Sequence, residues 1–181
     1  NEYFGEMLER EGIKANILSC MTATMLLKFV EGQVNIKKAA EIIMNSLPVC
    51  KVRKISYSTF SAIDCDDDGN VKIVEEGNPQ FIWIRDGKVQ DIKAVEVVSK
   101  NFKNRVLMTY KFVAKQGDRI IFCSDGVTQT GLGSSKLPLG LEREGLIKAL
   151  KVMLDENPTV SSSELSREIV LMAKNIENNA D

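Results

Sequence analysis

Helical periodicity at both ends of the chain encloses a central stretch that alternates like strands, and this ordering limits the fold more than any other feature. Ile17, Cys20, Met21, Thr24, Leu27 and Lys28 recur at helical spacing within Ile13–Val30, and Gly32 marks the end. The apolar face is broad, which predicts a well-buried helix. Asn35 is placed to cap a second helix with Ile36, Ala39, Ala40, Ile43 and Leu47 on one face, and Pro48 stops it. Ser56–Ile63 then alternates, with Tyr57, Thr59, Ser61 and Ile63 on one face. A turn at Asp66–Asn70 returns the chain as Val71–Val74, and Gly77-Asn78-Pro79 turns it again. Phe81–Ile84 and Val89–Ile92 read as a hairpin about Arg85-Asp86-Gly87-Lys88. Val106–Val113 and Arg119–Cys123 read as two further strands. Glu144–Leu154 and Ser161–Ile176 close the chain as helices. Helices, a run of mostly antiparallel strands, then helices again predict an α+β fold with helices packed on a sheet. The 181 residues are read as one domain.

Histidine is absent. That excludes imidazole-based triads and general bases, and with them His-ligated zinc. Metal chemistry would have to run on carboxylates, which favours hard ions such as Mg²⁺, Mn²⁺ or Ca²⁺. A net charge of −1 leaves no electrostatic footprint for nucleic acid or an anionic membrane. The most apolar run, Ile17–Val30, contains Ser19, Cys20, Thr22, Thr24 and Lys28 and is too short and too polar to span a bilayer. Cys20, Cys50, Cys65 and Cys123 form no C-x-x-C pair. They read as reduced packing residues in a cytoplasmic protein with no signal peptide.

The strongest local pattern is Arg119-Ile-Ile-Phe-Cys-Ser-Asp-Gly126. Apolar residues at successive positions predict a strand covered on both sides that runs straight into Asp-Gly. Asp125 at its end would be aimed from a fixed element into a cleft, where a carboxylate can hold a cation. Gly126 would let backbone or water approach closely. The plain alternative is a strand-end turn. The loop Gly131–Gly140 could cradle a phosphate with its backbone N–H groups and Lys136, or be a flexible surface loop. Asp64, Asp66, Asp68, Gly69 and Glu75 fit the calcium-loop spacing at every defined position. Such a loop needs a helix on each side, and both flanks read as strands. A hairpin turn with solvated carboxylates is the simpler reading.

Three segments resemble the bacterial stage II sporulation protein E (SpoIIE) type of metal-dependent (PPM-type) Ser/Thr phosphatase. Gly117–Gly131 is similar to the family stretch in which a Gly-Asp, an apolar run and Ser-Asp-Gly follow one another. Tyr57–Asp64 with Gly77–Gly87 resembles the family's pair of strands. Gly12-Ile-Lys-Ala-Asn-Ile-Leu18 is similar to the end of its strand-to-helix junction after an Asp-Gly pair. The resemblance runs from about Gly12 to Met172. It implies a four-layer α-β-β-α sandwich of two antiparallel sheets flanked by helices. It also implies two Mn²⁺ or Mg²⁺ ions and a phosphoserine or phosphothreonine protein as substrate, in this family often an anti-anti-sigma factor. Asp125 becomes the expected metal ligand and Lys136 the expected substrate contact. Counted back from Gly12, the family's Asp-Gly falls on Met7 and Leu8, which cannot ligate a metal. The family's acidic segment and final strand would begin near Asp181. The domain is therefore expected to be partial at both ends. A phosphatase-like module that lost its metals and acts in protein–protein signalling is the alternative.

Overall fold

A computed structural model describes residues 2–47, 59–101 and 105–179, and for residues 2–15 the backbone course alone. The chain divides into two compact units, Asn1–Gly77 with Ile92–Ala114, and Asn78–Asp91 with Lys115–Asp181. Each holds one antiparallel sheet and its own helices, so the fold class is α+β with two antiparallel sheets, as expected.

In the first unit, helices α1 (Glu2–Glu31) and α2 (Ile36–Ser46) lie against a sheet ordered β1-β2-β6-β5. Its strands are β1 (Phe60–Cys65), β2 (Asn70–Glu76), β5 (Val95–Val98) and β6 (Val106–Val113). The α2 entry is capped as the sequence predicts: the Asn35 side chain accepts from the Lys37 N–H at 3.0 Å. Its exit residue Leu47 is extended, as a residue before proline must be. Leu18, Ile43, Met44, Phe60, Ala62, Val74 and Leu107 form one apolar cluster, with Met25, Leu26 and Phe29 packed on it.

Several expectations are corrected here. α1 is not well buried: Ile17, Met21, Leu27 and Val30 are each about half exposed, because only the Leu18–Thr22–Phe29 side meets the cluster. Gly12 lies inside continuous helix, so the Gly12–Leu18 segment is no strand-to-helix junction. The count back to Met7 and Leu8 therefore lands on helix as well, not on a strand end. β1 alternates as expected over Phe60–Ala62: Phe60 and Ala62 are on the buried side, and Ile63, on the Ser61 face, is 46% exposed. Residues 56–58 of that expected strand lie outside the described residues. β5 carries no clear alternation and was not foreseen.

Within this unit a buried ion pair fastens helix to sheet. Arg105 donates through Nε and Nη2 to both carboxylate oxygens of Glu76 at 2.6 and 2.9 Å, and through Nη1 to the Leu47 carbonyl at 3.0 Å. The two side chains are 1% and 3% exposed. A bidentate geometry with a third acceptor is what lets such a pair offset its desolvation.

In the second unit, strands β3 (Ile82–Arg85), β4 (Lys88–Val89) and β7 (Arg119–Ile121) form a sheet ordered β4-β3-β7. Helices α4 (Glu142–Glu156) and α5 (Ser162–Asn178) cover one face. Ile82 and Ile84 pack with Leu146, Leu150, Leu154, Leu165 and Ile169. Each side chain fully removed from water there contributes about 1.5–3 kcal/mol. Asp86 and Gly87, both at positive φ, make the tight β3–β4 turn. α5 opens on a complete capping box between Ser161 and Glu164.

Candidate functional site

Everything that could do chemistry at the Ser124-Asp125-Gly126 segment depends on how β7 is held. β3 carries Trp83 and Arg85 on the face away from the helices, with the guanidinium 4.7 Å from the indole centroid. Asp118, just before β7, accepts from Trp83 Nε1 at 3.0 Å, from Arg85 Nε and Nη2 at 2.8 and 2.6 Å, and from the Lys115 N–H at 2.9 Å. These donors, Arg85 first, hold the Asp118 carboxyl well below the usual carboxylate range against the opposing effect of burial. Asp118 thus pins the start of β7 to β3. In the sequence it stood only as part of a Gly-Asp pair between strands. A Trp-x-Arg on one strand face and an Asp opening the neighbouring strand is the signal that could have found it.

β7 itself is not covered on both sides, as its apolar run had suggested. Among the described residues it pairs with β3 alone, as an edge strand, and its residues are only partly buried. From Ile121 the chain passes through Phe122, Cys123 and Ser124 into the short helix α3 (Asp125–Thr128), where the sequence suggested a loop. The Asp125 carbonyl is used by the turn, accepting from Gln129 N–H at 2.7 Å and Thr128 Oγ1 at 3.2 Å. Its carboxylate is exposed and has no hydrogen bond or ion pair among the described residues. Gly126 has helical backbone, and a Cβ there would meet only Ser124 Oγ, at 3.5 Å. The fold therefore does not require this glycine, although glycine in a helix costs roughly 1 kcal/mol relative to alanine. A groove of about 450 Å³ runs along Asp118–Ser124 against Leu165, Ile169 and Val170 of α5.

The second expected site residue, Lys136, is exposed on the Gly131–Gly140 loop and lines a different groove, whose lining does not include Asp125. The loop is not an open cradle for phosphate. The N–H groups of Gly133, Ser134 and Gly140 donate to carbonyls of the same segment, that of Leu132 to the Gln129 carbonyl, that of Leu137 to Ser134 Oγ, and that of Gly131 to the Glu177 carboxylate. Amides already committed in this way cannot also surround an anion.

The acidic turn is a hairpin, as its flanks indicated. The Asp66 carboxylate accepts from the N–H groups of Asp68 and Asn70 and from the Asn70 side chain. These bonds, that of the Asn70 side chain first, lower its pKa. Asp64 pairs with Lys72 at 3.2 Å, and Glu75 is buried in β2. No helix enters or leaves the turn.

Among the described residues no three His, Cys, Asp or Glu side chains come together as a metal-binding group. Asp125 supplies one carboxylate. Two divalent ions need more, so the described residues do not by themselves form a two-metal site. No described helix is long and apolar enough to cross a membrane.

The comparisons bear on this arrangement. The family model described as Stage II sporulation protein E (SpoIIE) matches residues 11–181. The phosphatase domain of the cell fate determinant SpoIIE from Bacillus subtilis, in a Mn-presoaked crystal, superposes with a TM-score of 0.57 at 19% identity, over 88% of this chain and 67% of that one. A second structure of that domain gives 0.54 at 18% identity, over 86% and 65%. This chain thus spans about two-thirds of those structures. No curated protein sequence matches it.

Proposed function

The chain belongs to the stage II sporulation protein E family and has the fold of that family's phosphatase domain, and from this premise we propose that it hydrolyses phosphoserine or phosphothreonine in a regulatory protein, as one phosphatase domain over residues 1–181. The observation that carries this reading is Asp125. It is an exposed carboxylate without a partner among the described residues, opening the short helix that follows the strand Asp118 anchors. It is followed by a glycine that the backbone does not need. Structural carboxylates in this chain, such as Glu76, Asp66 and Asp118, are all engaged.

Mn²⁺ or Mg²⁺ is the proposed cofactor, two ions in a complete centre, with Asp125 one ligand among several. The remaining carboxylates would have to come from outside the described residues. The proposed substrate is an anti-anti-sigma-type phosphoprotein reached in the cytoplasm, with Lys136 as a substrate contact. A signalling module without catalysis is the second reading; that the described residues hold no group of three metal donors is what favours it.

A Mn²⁺ titration with p-nitrophenyl phosphate decides between them, run on residues 1–181 and on the full-length protein. We expect little turnover from the 181 residues, Mn²⁺-dependent turnover from the full-length protein, and its abolition in Asp125→Asn. A full-length protein inactive with both Mn²⁺ and Mg²⁺ would leave the signalling module. Strong turnover by the 181 residues would show that the site lies elsewhere in them.

A further inference from the structure

We propose that the groove between the Ser134–Leu137 turn and the end of α5 seats an apolar side chain of the phosphoprotein substrate, with an acidic neighbour of that residue meeting Lys136. The proposal rests on the phosphatase reading above and names the substrate feature it selects.

The groove is preformed. The loop that makes one wall has its ends tied together by the Leu141 N–H donating to the Thr130 carbonyl at 2.9 Å. Its base is tied to α5 by the Gly131 N–H donating to Glu177 at 2.9 Å. A Cβ on Gly131 would come within 3.1 Å of both Leu137 and Ile176, so the loop closes on the helix at a position only glycine allows. Compact loops of this kind, with adjoining ends and their own internal packing, are frequently functional. The resulting space is about 520 Å³, with Leu137, Met172 and Ile176 as its apolar surface and Lys136, Asn175 and Asn179 among its polar residues. That lies within the range of sites that take small ligands or side chains.

Charge decides what enters. The lining contains no acidic residue, and Lys136 has no carboxylate partner among the described residues. The opposite wall is the C-terminal end of a helix, the negative end of its dipole. Asn179 meets part of that end, its N–H donating to Ile176 at 3.2 Å and its Nδ2 to Asn175 at 2.6 Å. An anion is therefore drawn to the Lys136 side and away from α5. With most of the loop amides committed, the phosphate itself has no cradle here. An apolar side chain in the groove with a carboxylate beside it satisfies both walls.

The test uses the full-length protein with Mn²⁺, p-nitrophenyl phosphate, and acidic phosphoserine peptides in which one leucine is scanned across the flanks or replaced by serine. Asn175→Trp, at an exposed helix position, fills the groove. We expect one leucine position to raise kcat/KM about 10-fold over its serine counterpart, a usual size for one apolar contact. Asn175→Trp should remove that preference through KM, with p-nitrophenyl phosphate turnover unchanged. Lys136→Glu should remove the preference for acidic over neutral flanks. A wild type indifferent to leucine at every position, or a preference that survives Asn175→Trp, overturns the proposal. If p-nitrophenyl phosphate is not turned over at all, the phosphatase reading fails separately. Fluorescence anisotropy of the labelled peptides then decides the groove: tighter binding of a leucine peptide that Asn175→Trp abolishes sustains it, and equal binding of all peptides overturns it.

Discussion

Replacing Asp118 removes the anchor of β7, and the structure sets the size of the effect. The carboxylate loses two bonds from Arg85, one from the Trp83 indole and one from the Lys115 amide. Orphaning one partner of a buried pair costs about 3–5 kcal/mol. Here Asp118 is 5% exposed but Arg85 is 20% exposed, so the guanidinium recovers part of its hydration. Asp118→Ala should then cost about 2–3 kcal/mol. With a urea slope near 2 kcal/mol/M, the midpoint falls by roughly 1–1.5 M. Trp83 is the only tryptophan, so its fluorescence reports on this network directly. The pH dependence has a definite sign. The folded pKa of Asp118 is depressed, so its contribution is complete above the unfolded value of about 3.9 and is lost as pH falls below it toward the folded value. The gap between wild type and Asp118→Asn should be constant from neutral pH to about pH 5 and should narrow by about 1 kcal/mol between about pH 4 and 3. Urea melts at several pH values test both statements. A midpoint shift under about 0.3 M for Asp118→Ala, or a gap that does not change in acid, would refute the reasoning.

Glu76→Ala strands the Arg105 guanidinium at 1% exposure and should cost about 3–5 kcal/mol, read by urea denaturation followed by circular dichroism. A loss below about 1 kcal/mol would mean that water reaches the pair. Ser161→Ala removes the α5 capping box and should cost about 1 kcal/mol; an unchanged melting temperature would count against that cap. Millimolar Ca²⁺ should leave the melting temperature where it is, because Asp66 already serves three donor groups of its own turn. A Ca²⁺-dependent rise lost in Asp66→Ala would revive the calcium loop.

The parts of the fold legible in the sequence are those where local chemistry and tertiary packing ask for the same thing. Asn35 caps α2, Asp86-Gly87 turns β3 into β4, and Ser161 with Glu164 starts α5, each where a side chain or a positive φ fixes the backbone without help. The errors fall where only burial decides. The broad apolar face of α1 reads as buried from its composition, yet Ile17, Met21 and Leu27 face solvent because a single stripe suffices to meet the sheet. In β1 both faces carry plausible residues, and periodicity fixes that they alternate, not which side meets the helices. β5 is short, lies at a sheet edge, and holds its place partly through Thr109 Oγ1 donating to the Val95 carbonyl, a contact with no local signature.

The site was legible in the same uneven way. Ser124-Asp125-Gly126 was visible because an apolar run ending in Asp-Gly is a local pattern; the structure puts Asp125 in the first turn of α3, separated from β7 by three residues, with its carboxylate exposed. What the pattern could not carry is the burial of the strand before it. Ile120 and Ile121 read as buried from their composition, yet each is only partly buried. The Gly12–Leu18 segment lies within the family match, but its placement at a strand-to-helix junction is corrected for a related reason. Small and apolar residues at a junction and in mid-helix are the same residues, and only the continuous helix from Glu2 shows which they are. The opposing carboxylates therefore cannot be sought by counting back from Gly12. Met7 and Leu8 say nothing about whether a metal centre exists, because the position they were assigned is not a strand end. They lend no weight to a degenerate module, and that reading stands on the donor count among the described residues alone.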